Sequence, residues 1–110
     1  MKRDEIEEKA EEALLFLHSN AKKHGKIRAQ SDYLDAYVKS VKATVKGRSK
    51  LTSASAAEDE ALRSPEYLAA LEARKQANEE WYTALFLREA ARAHIDAFQT
   101  VSANERAHAG

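Results

Sequence analysis

Cysteine is absent from the chain, which removes disulfide bridges, thiol nucleophiles and thiolate zinc sites together, and agrees with a reducing compartment. Proline occurs once and glycine three times, too few for a loop-rich or collagen-like chain. Only three Phe, four Tyr and one Trp are present, so much of the 44% apolar content is alanine. No β-branched run alternates with period two, and strands are therefore not expected. No apolar run approaches the ~20 residues that span a bilayer, so no membrane partner is expected. The segment "ALLFL" is short and follows six acids, unlike the basic start and longer apolar region of a signal peptide, and a cytoplasmic location is expected.

What remains is a chain with 33% charged residues and the composition of long helices. At 110 residues it is one domain that buries a modest share of its surface, and self-association is the default expectation. Net charge is zero but unevenly spread. Residues 1–19 carry three bases and six acids, 20–50 nine bases and two acids, and 51–110 six bases and ten acids.

Asp4, Glu5, Glu7 and Glu8 crowd the start of a first helix, where negative charge suits the helix dipole. Its apolar stripe runs Ile6, Ala10, Ala13/Leu14, Leu17, Ala21. It continues across Gly25 as His24, Ile27/Arg28, Ser31, Leu34, Val38, Val41, Val45 in the same three/four spacing. That kept phase predicts one helix over about 3–46, bent or straight at Gly25; a turn at "KKHGK" giving three helices is the alternative. Gly47 is the expected stop, with Lys42 and Lys46 in the last turn.

Residues 47–64 read as a corner. Ser55 and Glu58 have capping-box spacing, one or two helical turns follow through "AAEDEALR", and Leu51 and Leu62 are available to pack. Ser64-Pro65 restarts the chain, since serine caps well and proline suits the first helical position. The last helix is expected over about 65–104, with a first half offering only alanine spacers and a tail, "NERAHAG", that frays. Each long helix would extend about 60–65 Å at 1.5 Å per residue. The expected fold is all-α, a long antiparallel helical hairpin with a short helical corner. "WYTALFL" is apolar around most of the helix circumference, which one hairpin does not cover. A dimeric, coiled-coil-like helical bundle is therefore expected, with Trp81, Tyr82, Leu85, Phe86, Ile95 and Phe98 as its self-association residues.

Catalytic chemistry finds little support. His18 and His24 are six apart and His94 lies two from Asp96, so none has helical metal-ligand spacing, and neither metal nor cofactor is expected. The carboxylates sit near bases at i,i+4, as in Asp35/Lys39, Lys75/Glu79 and Arg92/Asp96, the pattern of solvated helix faces. No glycine-rich phosphate loop exists, and no enzyme activity is expected.

The most informative polar feature is basic. Lys39, Lys42 and Lys46 share a helical face that Arg48 and Lys50 extend, and Lys22, Lys23, Lys26 and Arg28 cluster around Gly25. Such residues could bind phosphates without sequence preference, or an acidic partner, and Tyr33 and Tyr37 could stack bases. The same lysines could instead form a solvated face paired with acidic segments of the chain.

The runs "TSASAAEDEALRSPEYLAALEA" and "REAARAHIDAFQTVSANERA", about residues 50–107, resemble short helical proteins of bacteriophages and prophages encoded among early replication and recombination functions. The resemblance implies a non-enzymatic accessory role in DNA recombination or replication in a bacterial host cell, through DNA or a partner recombination protein. The alternative is an interaction module that inhibits or recruits a host factor without binding nucleic acid.

Overall fold

Two long helices and one short one account for nearly all of the chain in a computed structural model that describes residues 1–109: α1 (Arg3–Arg48), α2 (Ala54–Arg63) and α3 (Pro65–Ala109). The fold is all-α, with no strand among the described residues. Asp4 and Glu5 occupy the first turn of α1, and Lys46 and Arg48 the last, each complementing the helix dipole. Gly25 lies inside the continuous helix, so the "KKHGK" segment is not a turn. Gly47 is also helical, and α1 runs one residue beyond it.

The cap of α2 differs from the expected one. Ser53, in extended backbone, accepts a hydrogen bond from the Ala56 N–H at 3.0 Å, so Ser55 lies inside the helix and Glu58 is released from any capping role. Ser64 both ends α2 and caps α3. Its Oγ donates to the Ala61 carbonyl at 2.7 Å and accepts from the Tyr67 N–H at 3.2 Å. Leu51 and Leu62, expected to pack in the corner, are exposed. Of the "NERAHAG" tail, expected to fray, residues 104–109 are helical, and α3 continues to Ala109.

The chain divides into two compact units, Met1–Gly25 with Thr83–Gly110 (unit 1) and Lys26–Tyr82 (unit 2). In each, a half of α1 runs antiparallel to a half of α3, the helical hairpin expected from the pattern. Arg3 meets Glu105 in unit 1, and Ser31 meets Asn78 in unit 2. Ala70, Ala77, Ala84 and Ala91 recur every seven residues on α3, and all are buried. The "alanine spacers" are therefore the inward face of α3, a seven-residue repeat of the coiled-coil kind. On α1 the inward positions include Ala10, Ala13, His24, Ser31, Leu34, Val38 and Val45, the stripe traced through Gly25.

Unit 2 adds α2, whose Ala57 and Ala61 are buried, Ala61 completely. α2 adds a third wall at the corner end of unit 2, where Val45 and Ala56 line one hollow, and unit 2 holds Leu34, Val38 and Val45, the buried large aliphatic side chains among the described residues. In unit 1 the buried apolar residues among those described are Ala10, Ala13, Ala84 and Ala91.

Candidate binding surfaces

In unit 2, the expected lysine face is partly consumed within the chain. Lys42 Nζ pairs with Glu58 Oε1 at 2.6 Å, so the acidic α2 sits against the basic end of α1. The hydrogen bond from Lys42, then the charges of Lys42 and Lys46, hold the Glu58 carboxyl below its ordinary range, and the same bond raises the Lys42 ammonium. Arg48 approaches Glu66 at 3.9 Å. Arg28 stacks on the Trp81 ring at 4.8 Å and reaches Asp32 at 3.6 Å. Lys39 and Lys50 have no carboxylate within 4 Å among the described residues, and of the face Lys39/Lys42/Lys46 Lys39 is exposed while Lys42 and Lys46 are half-buried. The expected i,i+4 ion pairs Asp35/Lys39, Lys75/Glu79 and Arg92/Asp96 are not made among the described residues; two other i,i+4 pairs, Arg3–Glu7 and Arg28–Asp32, are.

A second stripe on α1 is better suited to an external ligand. Lys26, Tyr33, Tyr37, Ser40 and Thr44 follow one another at intervals of seven, four, three and four residues, which puts them on one face, and all are exposed. Arg48 follows four residues later. Tyr33 and Tyr37 stack with centroids 5.9 Å apart and planes 15° from parallel, and Tyr33 is 60% exposed. The α1 acids nearest in sequence, Asp32 and Asp35, fall off this stripe. At its end a shallow groove of about 260 Å³ opens between Tyr37, Thr44, Arg48 and Glu66. The tyrosines and Lys39/Lys42/Lys46 therefore belong to different faces: Tyr33 and Lys39 are six residues apart, out of phase on a helix.

A hollow of about 800 Å³ in unit 2 lies at the corner between Leu51, Ala56, Pro65 and the charged Arg48, Asp59, Glu60, Arg63 and Glu66. Of its lining groups, Glu60 Oε2 accepts from Ser49 Oγ at 2.6 Å, and Ser64 Oγ is committed to the Ala61 carbonyl. No histidine lines it, and the Oγ of Ser64, its one lining hydroxyl, is bonded to backbone groups.

In unit 1, Arg3 bonds to Glu7 and, through Nε at 3.0 Å, to Glu105, and lies over the Phe98 ring at 5.5 Å. Its guanidinium is raised further above its ordinary value, chiefly by the Glu105 hydrogen bond. His24 is buried. Arg88 Nη1 donates to its Nδ1 at 3.3 Å, which leaves the ring proton on Nε2. Burial first, then the charges of Arg88 and Lys23, push the imidazole below its ordinary value. Among the described residues no group of three His, Asp or Glu side chains is placed to hold a metal ion.

Among the expected self-association residues, Trp81 lies half-buried beneath Arg28, Phe98 half-buried beneath Arg3, and Leu85 and Ile95 are half-buried. Tyr82 and Phe86 are exposed, Phe86 by 63%. Leu14, Leu15 and Leu87 join them, with Leu15 67% exposed. The stripe pattern had assigned Leu14 to the inward face jointly with Ala13; Ala13 takes that place and Leu14 turns out. Lys22, Lys23 and Lys26 are exposed around Gly25. Compared with protein-family models, curated proteins and solved structures, the chain matches none.

Proposed function

We propose that this chain is a non-enzymatic accessory protein that works by binding, and that its ligand is a single-stranded nucleic acid laid along the Lys26–Tyr33–Tyr37–Arg48 stripe of unit 2. The observation that carries this reading is the exposed, stacked tyrosine pair on an α1 face that holds bases and hydroxyls but no acid between residues 26 and 48. Aromatic faces accept any base, and flanking cations neutralise phosphates without reading sequence. The resemblance of residues 50–107 to short phage proteins supplies the proposed setting, DNA recombination or replication in the cytoplasm of a bacterial host cell.

Anisotropy titration of a labelled single-stranded oligonucleotide tests this. Binding should weaken as salt rises, with log K falling by about 0.7 per decade of salt for each phosphate neutralised. Tyr33→Ala or Tyr37→Ala should weaken it by about 1–3 kcal/mol for each base unstacked. Lys42→Glu should matter less than Lys26→Glu, because Lys42 is already paired with Glu58. Absence of binding at low salt removes this reading.

A second reading is favoured by the exposed Leu51, Leu62 and Leu68 around the corner: a protein partner, a recombination or host factor, docks there. Capture of one defined partner by the wild-type chain, lost in Leu62→Ser/Leu68→Ser but retained in Tyr33→Ala, would select it.

A further inference from the structure

Between Asp35 and Glu58 the chain carries Lys39, Lys42, Lys46, Arg48 and Lys50 and no acid. Lys39, Lys42 and Lys46 are three and four residues apart, about 4.5 and 6 Å along α1, and so make a ladder on one face. The first acid after them is the one that covers them. Lys42 Nζ meets Glu58 Oε1 at 2.6 Å, and that bond, then the charges of Lys42 and Lys46, holds the Glu58 carboxyl low. Two residues on, Glu60 Oε2 accepts from Ser49 Oγ at 2.6 Å, which ties α2 to the segment leaving α1.

α2 is held lightly. Its ten residues are too few to stay helical alone in water, so its helix depends on its seat. Its buried side chains are Ala57 and Ala61, two methyl groups each worth about fourfold in the docking equilibrium. Leu62, which would anchor it more firmly, is exposed, as is Leu51 before it. The polar ties Lys42–Glu58 and Ser49–Glu60 are reached by water, where a competing charge can displace them.

We propose that α2 is an acidic strap over a phosphate-binding face of α1, and that a chain of phosphates opens it by taking Lys42 and Lys46 from Glu58. The ligand class rests on the reading of α1 as a nucleic-acid-binding helix, but the face is not that of the tyrosine stripe. Glu58 presents to Lys42 what a phosphate would, an anionic oxygen at hydrogen-bond distance. A phosphate chain offers such oxygens to all three lysines at once, and lysine is a point charge that accepts them from many directions. A ligand that binds the open form has its apparent affinity reduced by the fraction of chains that are closed, so loosening α2 must tighten binding.

Amide hydrogen exchange of the full chain at low salt, with and without inorganic polyphosphate, tests this. At saturation residues 57–63 should exchange about tenfold faster, the order set by the two methyl groups, while Leu34 and Val38 are unchanged. Glu58→Gln should tighten polyphosphate binding about two- to fivefold in a calorimetric titration. Glu79→Gln, which removes an exposed carboxylate of α3, gives the effect of net charge alone and should be smaller. In the Lys42→Gln background the gain from Glu58→Gln should fall to that of Glu79→Gln. A single-stranded oligonucleotide that opens α2 in the Tyr33→Ala/Tyr37→Ala chain identifies nucleic acid as the source of the phosphates; opening by polyphosphate alone identifies the free polymer. Exchange in α2 that is unchanged or slower at saturation overturns the proposal, as does a Glu58→Gln gain no larger than that of Glu79→Gln. Polyglutamate that opens α2 as well as polyphosphate does would assign the face to an acidic protein instead. Polyphosphate has no bases, so Tyr33→Ala should leave its affinity unchanged, and a loss there would move the phosphates to the stripe and overturn the strap. Failure of the stripe itself appears in oligonucleotide binding, not in the polyphosphate measurements.

Discussion

Unit 1 and unit 2 are built from the two halves of the same helices, yet they solve the burial problem differently. Unit 2 has a third segment, α2, and buries Leu34, Val38 and Val45 together with Ala57 and Ala61. Unit 1 has only two segments, buries four alanines, and leaves Leu14, Leu15, Phe86 and Leu87 in water. Two helices meet along a single narrow seam, and small side chains there let the backbones approach but leave larger ones no wall to lie against. α2 supplies such a wall at the corner end of unit 2, although Leu51, Leu62 and Leu68 around it stay exposed. The lesson is that apolar residues alone do not make a core; the number of elements around them decides whether they are inside.

The sharpest way to break this contrast is to take the third wall away. Ala61 is fully buried where α2 packs. Ala61→Leu should cost about 1–3 kcal/mol through overpacking, read as a lower urea midpoint. Amide exchange should accelerate in α2 and around Val38 and Val45, leaving the first turns of α1 unchanged. Equal acceleration in both units would mean that α2 is not what distinguishes them.

The next effect belongs to unit 1. His24 packs in its seam with Arg88 as its hydrogen-bond donor and Lys23 beside it on α1, so both facing charges are positive. The folded chain therefore holds the imidazole neutral below the ordinary value of 6.5, while the unfolded chain takes up a proton near that value. Stability is complete above pH 6.5 and declines as the pH falls below it, because the unfolded state then binds more protons. His24→Gln should flatten this part of a plot of urea midpoint against pH. A variant that retains the full decline would assign it to other groups.

How much of this was legible in the sequence varies by the kind of interaction. The helical class, the unbroken phase through Gly25 and the Ser64-Pro65 restart were all legible, because each is set by spacing or by a residue's own backbone chemistry. The stripe His24, Ser31, Leu34, Val38, Val45 faces inward as its spacing required. The cap of α2 was placed two residues late because Ser53 and Ser55 offer the same hydroxyl, and local spacing does not choose between them. The Lys42–Glu58 pair was not legible: it depends on where α2 docks, sixteen residues away in sequence. For the same reason the lysine face looked free, while the acid-free tyrosine stripe, visible in the spacing of residues 26–48, was overlooked in favour of the denser charge. Alanines read as spacers became the seam of α3 because a close pair of helices selects the smallest side chain.

A smaller effect sharpens the polar side of unit 2. Ser31 Oγ donates to Asn78 Oδ1 at 2.6 Å, with Ser31 buried and Asn78 half-buried. Ser31→Ala removes the donor and leaves the amide oxygen facing alanine, which should cost about 0.5–1.5 kcal/mol. Asn78→Leu in the Ser31→Ala background should recover part of it, since exchanging both polar partners for apolar ones removes the unmet group. If the double variant is less stable than the single one, Asn78 has a second role at the seam.

The smallest change tests the join in α1 where the unit boundary falls. Gly25 is helical and exposed, its φ is not positive, and a Cβ built on it meets nothing within 4 Å. No turn, close approach or unusual dihedral requires glycine there. A glycine inside a helix costs about 0.5–1 kcal/mol relative to alanine, because it loses more backbone freedom on folding. Gly25→Ala should therefore stabilise the chain by about that amount, read as a higher urea midpoint with an unchanged slope. A loss of stability would show that α1 relies on a glycine-only conformation at this point, and the continuous helix through residues 3–48 would have to be replaced by two.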